Sequence, residues 1–401
     1  MKYLVAIACL AGSMMLCAAE PEAAFDFSNA ANRKVRALEN YNNALRTEVP
    51  GESIKMLLES LRQNPDNEGP YFWLIRIAIQ NKSLNESGKQ LIAVALEHPH
   101  RPKMMNIALD MALYGRSNIS KKERAEWCGD LIKVLDANDL AEAQGTRNFL
   151  PLINLLYRYN FLAYDKDTYL NGEAVFDRYW QAMTPAHQKR YAAVFLNFFS
   201  FAAKYQDKSR SFWFPFGKTP YQAAADRVRA LTDLVLTPSP NGYRMEDMDA
   251  AAVAIENLND IELLKAYEKA LVNSDYLKNP NNANTLAYLK AVMNYDLDDA
   301  ERLASFAVLQ ENNAAFWDTL AWIYYQQKKY DKAKECIQKA FNGKDILLGE
   351  NVINEHAGDI FAAAGDKAKA KEYYRRALQS EAEVRFDKSV VEQKLNALEQ
   401  D

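Results

Sequence analysis

Apolar residues recur along this chain at helical spacing almost from end to end. Between Glu52 and Gln63, for example, Ile54, Leu57, Leu58 and Leu61 fall on one face, the period of an amphipathic helix. Strict alternation bounded by Gly-Asn or Asp-Gly turns, the signature of strands, is absent. The pattern predicts helices over Ser28–Thr47, Glu52–Gln63, Tyr71–Gln80, Leu84–Glu97, Lys103–Leu113, Lys122–Leu135, Thr146–Tyr159, Ala174–Ala182, Pro185–Tyr205 and Tyr221–Leu236. A second series covers Asp260–Val272, Thr285–Asn294, Asp298–Leu309, Trp317–Gln327, Asp331–Phe341, Val352–Ala364, Lys367–Leu378 and a polar terminal helix, Asp387–Leu398. Stops are read at Val49-Pro50-Gly51, Asn64-Pro65, His98-Pro99-His100 and Asn279-Pro280. Ala163–Gly172 and Gln206–Pro220 read as loops, and Thr237–Gly242 is the clearest boundary.

One helix-turn-helix pattern is written twice between Ala314 and Leu378, as AAFWDTLAWIYYQQKKYDKAKECIQKAF and INEHAGDIFAAAGDKAKAKEYYRRAL. A third copy precedes it with Leu286, Leu289, Ala300, Ala304 and Ala307. Ala300, Ala333 and Ala370 recur at 33 and 37 residues, which puts a small insertion near Gly343 to Gly349. Pro65 and Pro99 stand 34 residues apart at the ends of two earlier helices. A fixed period of this size marks stacked units, none of which can bury its apolar face alone.

These copies resemble the tetratricopeptide repeat family. The first supplies Trp317, Leu320-Ala321, Tyr324, Ala333, Ile337 and Ala340, and the second Ala357-Gly358, Phe361, Ala370, Tyr374 and Ala377. The resemblance implies an all-α fold, a right-handed solenoid of helix-turn-helix repeats with an irregular helical middle region. The expected organisation is a signal peptide at 1–19, degenerate repeats over 20–115, irregular helices over 116–240 and a repeat domain over 241–401. Within that domain the repeats fall near 283–313, 314–347 and 351–384, with a capping helix at 386–400. The resemblance also implies a non-catalytic scaffold whose partner, a peptide or protein, lies in a concave groove. The helix positions that face such grooves are here Asp318, Trp322, Tyr325, Gln326, Glu355 and Asp359. This acidic and aromatic set favours a basic or extended partner. Lys and Asn, which related chaperone-binding arrays use to grip a C-terminal carboxylate, are missing from it.

Composition narrows the partner. Of 401 residues, 49% are apolar and 25% charged, the balance of a folded protein. With 49 Lys+Arg against 53 Asp+Glu and no long run of one sign, the chain lacks a basic footprint for nucleic acid or an anionic membrane. Met1-Lys2, the apolar run Tyr3–Leu16 and the small residues before Glu20 read as a secretory signal cut after Ala19. That apolar run is too short to span a bilayer. Export to a periplasm or the exterior follows, with outer-membrane association through a lipid on Cys17 as the competing reading, disfavoured by Leu16 before it. Beyond the signal only Cys128 and Cys336 remain, too far apart for a metal or redox pair and expected as small buried residues.

No cofactor or metal is expected. Phosphate-cradling glycine loops, Gly-x-Ser-x-Gly and His-Glu-x-x-His are absent, so no enzyme class is indicated. His98 and His100 flank Pro99 at a helix end without further ligands nearby. The segment Phe212-Trp213-Phe214-Pro215-Phe216 reads as a loop. Its rings are either plugs buried against the middle region or an exposed lip for a glycan. The second option gives an alternative function, a glycan-binding or carbohydrate-processing envelope protein.

Overall fold

A computed structural model describes residues 27–81, 84–113, 119–163, 165–206, 219–239, 242–346, 350–380 and 388–400. Residues 1–19, expected from the sequence to be a signal peptide, and the aromatic segment 212–216 lie outside the described residues. The chain is all-α, a solenoid of stacked helices. Among the described residues the only extended pairings are two isolated bridges. It divides into two compact units, Met1–Arg116 and Ser117–Asp401.

The first unit holds α1 (Phe27–Arg46), α2 (Pro50–Gln63), α3 (Glu68–Asn81), α4 (Leu84–Glu97) and α5 (Pro102–Leu113). Buried Ser53 and Ser60 donate to the carbonyls of Ala44 and Ala37 at 2.9 and 2.6 Å, tying α2 to the backbone of α1. A Cβ on Gly88 of α4 would stand 2.4 Å from the Ala112 amide of α5, so those helices touch backbone to backbone. Three exposed ion pairs, Arg62–Glu97, Arg101–Asp66 and Lys103–Glu68, each join residues 35 apart. Such pairs add little stability, but they mark the repeat's register.

The second unit runs through α6 (Lys121–Asp136), α7 (Leu140–Ala143), α8 (Phe149–Leu162), α9 (Lys166–Ala182), α10 (Pro185–Tyr205), α11 (Pro220–Val235), α12 (Met245–Leu258) and α13 (Ile261–Asn273). It continues with α14 (Pro280–Val292), α15 (Leu297–Gln310), α16 (Ala314–Gln326), α17 (Tyr330–Ala340), α18 (Glu350–Ala363), α19 (Lys367–Gln379) and α20 (Lys388–Gln400). Three departures from the sequence expectation have local causes. Helix α9 starts at Lys166, inside the expected loop, because the Asp165 side chain caps it and Gly172 gives room to the Tyr159 ring. Asn279-Pro280 does not end a helix but begins α14, with Asn279 as N-cap and Pro280 in the first turn. Helix α12 was not anticipated; its run of alanines lacks a periodic bulky face, and Asn259 closes it in the left-handed region.

Small residues set the distance between paired helices in the C-terminal repeats. Ala300, Ala307, Ala333, Ala340, Ala370 and Ala377 are fully buried, as are Ala287, Ala321 and Ala357 on the opposing helices. At Gly358 an added Cβ would stand 2.3 Å from the Tyr374 ring. The insertion also folds back tightly. Lys344 exchanges backbone hydrogen bonds with Asn312 and Ala314, both at 2.9 Å, and Gly343 allows that approach. Between α8, α9 and α10 the core is aromatic instead, with Phe176 and Phe198 stacked at 3.6 Å against Tyr159 and Phe195. Cys128 and Cys336 are buried and unpaired, and burial pushes their thiols up to about 12 and about 11.

One fully buried cation pins α13, α14 and α15 together. Lys290 Nζ lies 2.7 Å from Glu268, 3.1 Å from Asp296 and 2.6 Å from Asp299. Burial alone would lower its pKa, but the three carboxylates outweigh it and hold the ammonium above its ordinary value. Replacing Lys290 with Met keeps the stem and strands the carboxylates. Because those acids are partly solvated, the expected loss is on the order of 2 kcal/mol, below the cost of breaking a fully buried pair. Urea midpoints at neutral and acidic pH check this: the gap from wild type should narrow as the carboxylates protonate.

Candidate binding groove

Alternate helices of the second unit, α8, α10, α12, α14, α16 and α18, turn one face toward a common groove of about 970 Å³. Its α8 end is aromatic. Tyr157 and Phe161 are 61% and 49% exposed, and Phe201 of α10 stacks on Tyr169 at 5.0 Å. The middle is rich in carboxamides, from Asn197, Asn257 and Asn284. Asn257 donates to Ser200 Oγ at 3.1 Å. The Oδ1 of Asn284 is buried and has no hydrogen-bond donor among the described residues. The far end is acidic. Tyr288 donates to Glu256 Oε1 at 2.9 Å, and burial together with Glu256, Asp318 and Glu355 keeps its hydroxyl protonated well beyond the usual range.

The repeat register explains this gradient. Asn284, Asp318 and Glu355 stand 34 and 37 residues apart, each two positions before the Leu-Ala or Ala-Gly pair of its helix, and Tyr288, Trp322 and Asp359 do the same one position after it. Of these six, Asn284, Tyr288 and Asp318 line the groove, whereas Trp322, Glu355 and Asp359 lie beside its α18 end.

Asp318 lines the groove, where it is nearly buried and accepts from His356 Nδ1 at 2.9 Å and 3.0 Å. The imidazole stacks on Trp322 at 4.3 Å, and Trp322 on Tyr325 at 4.7 Å. Glu355 and Asp359 face Lys394 of α20, which lies 2.9 and 2.7 Å from them, and Tyr374 donates to Asp359 at 2.7 Å. Gln326 is half-buried in the last turn of α16. Asp318, Trp322, Tyr325, Glu355 and Asp359 thus gather around His356. Four features were missed from the sequence: the carboxamides, the aromatic end, His356 and Lys394. Only the asparagines carried a usable signal, since Asn284 repeats the position of Asp318. Among the described residues no three His, Cys, Asp or Glu side chains are grouped to hold a metal ion.

The tetratricopeptide repeat-like domain family matches the chain over residues 265–400, from within α13 through α20. That segment is a tetratricopeptide repeat-like domain. No curated protein matches the chain. Among solved structures, the chain is similar to a tetratricopeptide repeat protein from Parabacteroides merdae at 12% identity, covering 92% of this chain and 99% of that one with a TM-score of 0.36. Yeast Tom70 is similar at 11% identity over 92% and 96%, TM-score 0.30, and the Cut9–Hcn1 hetero-tetramer at 12% over 92% and 75%, TM-score 0.34.

Within the repeat domain, His356 joins α18 to α16. Burial lowers its pKa, but the charge and hydrogen bond of Asp318, with Asp359 and Glu355 behind, outweigh burial and raise it above the ordinary 6.5. A raised folded value means that the protonated ring stabilises the fold. That contribution is complete below about pH 6.5 and is lost as pH rises through the raised value. His356→Gln is expected to cost on the order of 2 kcal/mol near pH 6, the scale of a hydrogen bond to a charged group. Urea midpoints from about pH 6 to about pH 9 check it: the wild type should lose stability over that interval and converge on the variant.

Proposed function

We propose that this chain is a non-catalytic scaffold that holds an extended segment of a protein partner in the groove of the Ser117–Asp401 unit. The observation that carries this reading is the groove itself, to which six successive alternate helices each present side chains. A carboxamide offers donors and an acceptor together, the complement of a peptide unit. Asn284 Oδ1 in particular needs an N–H, since an unpaired buried acceptor costs about 1–3 kcal/mol. Tyr157 and Phe161 supply rigid apolar area of the kind that dominates binding energy, and the acids at the other end favour a basic partner. The work belongs in a bacterial envelope, a placement supported by the basic, apolar and small-residue order of Met1 to Ala19.

The test is affinity capture from an envelope extract with chemical crosslinking. A specific partner should be recovered by the wild type and by Leu309→Ala, an exposed apolar position outside the groove lining. Recovery should fall by about tenfold or more with Tyr157→Ala/Phe161→Ala and with Asn284→Ala. Equal recovery by all forms, or crosslinks confined to surfaces away from these residues, would overturn the assignment.

A further inference from the structure

An acidic cluster that adjoins the groove through Asp318 and His356 already holds a basic side chain, and the helix that delivers it is lightly held. Lys394 Nζ sits 2.9 Å from Glu355 Oε1 and 2.7 Å from Asp359 Oδ2, with its side chain 31% exposed. Burial lowers its pKa, but Asp359 and Glu355 more than compensate, so the ammonium stays charged. Helix α20 otherwise buries Val391 alone, whereas α17 and α19 bury four and three residues. Among its other ties, the Arg375–Glu399 pair at 2.6 Å is about half exposed, and Lys388 reaches the Leu378 carbonyl at 3.3 Å.

What Lys394 enters is suited to a cation arriving from outside. Asp318, Glu355 and Asp359 outnumber the one histidine among them, and the faces of Trp322 and Tyr325 adjoin. Glu355 and Asp359 are 20% and 12% exposed and draw their nearest countercharge from α20 rather than from their own repeat. Without it, two partly desolvated carboxylates would face each other, which strongly favours another cation in the same place.

We propose that α20 is an intramolecular occupant of the acidic cluster beside the groove, and that a lysine or arginine of an extended partner segment leaving the groove past Asp318 displaces Lys394 and takes over Glu355 and Asp359. This rests on the groove being the partner site. Exchanging one cation for another leaves the local hydrogen bonding nearly unchanged, so the contacts the partner makes along the rest of the groove decide the competition. The apparent dissociation constant is then the intrinsic one divided by the fraction of molecules with α20 lifted.

The experiment uses the full chain and fluorescence anisotropy with a labelled alternating Lys-Ala peptide of about twelve residues, roughly 40 Å when extended, and its Glu-Ala counterpart. Lys394→Ala should bind the Lys-Ala peptide about tenfold tighter than wild type, as expected if about a tenth of molecules are open. Val391→Ala, which loosens α20 without touching the acids, should shift affinity the same way and covers the case of a poorly folded Lys394 variant. Lys394→Arg should stay close to wild type, Glu355→Gln/Asp359→Asn should erase the gain, and the Glu-Ala peptide should not bind. No gain in either Lys394→Ala or Val391→Ala overturns the proposal, as does a gain that survives loss of both acids. If those gains are absent while Tyr157→Ala/Phe161→Ala still weakens binding, the groove stands and only the displacement falls. If the gains appear but the aromatic variant has no effect, α20 guards the acids and the groove assignment fails.

Discussion

Everything in the C-terminal repeats depends on how closely two antiparallel helices approach. Alanine at positions 300, 333 and 370, against alanines at 287, 321 and 357, removes the side-chain layer that would hold ordinary helices 8–10 Å apart. Gly358 goes further and lets the Tyr374 ring lie against its backbone, which delivers the phenol to Asp359. Tight pairing within a repeat leaves bulky residues for the contact between repeats. The same pairing directs the faces of alternate helices to one side, so the groove is a consequence of where the small residues sit. Enlarging any of them would tilt a helix and move its groove residue with it.

The ladder was legible because it recurs at fixed spacing within one chain, and so were most helices, since few breakers interrupt their period. Boundaries were harder where one residue type serves two purposes. Pro280 is as compatible with a first turn as with a stop, and the Asn279 side chain decided between them. Gly172 looked like a loop residue but is a contact, invisible without Tyr159 beside it. The groove was less legible than the fold. Asp318 could be named from its position in a repeat. The aromatic end, formed by Tyr157, Phe161 and Phe201, could not, because α8 and α10 carry no repeat motif and come to share a groove with α14 only in the folded chain. Glu355 and Asp359 were named from the repeat pattern, yet the groove lining stops short of them and their partner lies 35 or more residues downstream on a helix that reads only as a polar cap.

Three basic groups now stand out as fasteners between successive layers. Lys290 gathers acids from α13, the α14–α15 turn and α15, His356 grips Asp318 across α16 and α18, and Lys394 spans α18 and α20. They answer one problem: the inner faces of these helices carry carboxylates, and stacking them without countercharge would repel. A cation placed between layers turns that repulsion into a tie, at the cost of desolvating it.

The three ties differ in how reversible they are, and exposure sets the order. Lys290 is fully buried with three acceptors, two of them on helices it packs against, so releasing it requires opening the repeat. His356 is nearly buried but titratable, so its grip responds to protons rather than to competitors. Lys394 is about one-third exposed, on a helix with one buried residue, so of the three it is the tie most open to a competitor. A solenoid fastened this way is firm in its interior and loosens toward its C-terminal end. The most exposed tie thus sits at the acidic cluster beside the groove's α18 end, where a basic partner has most to gain by replacing it.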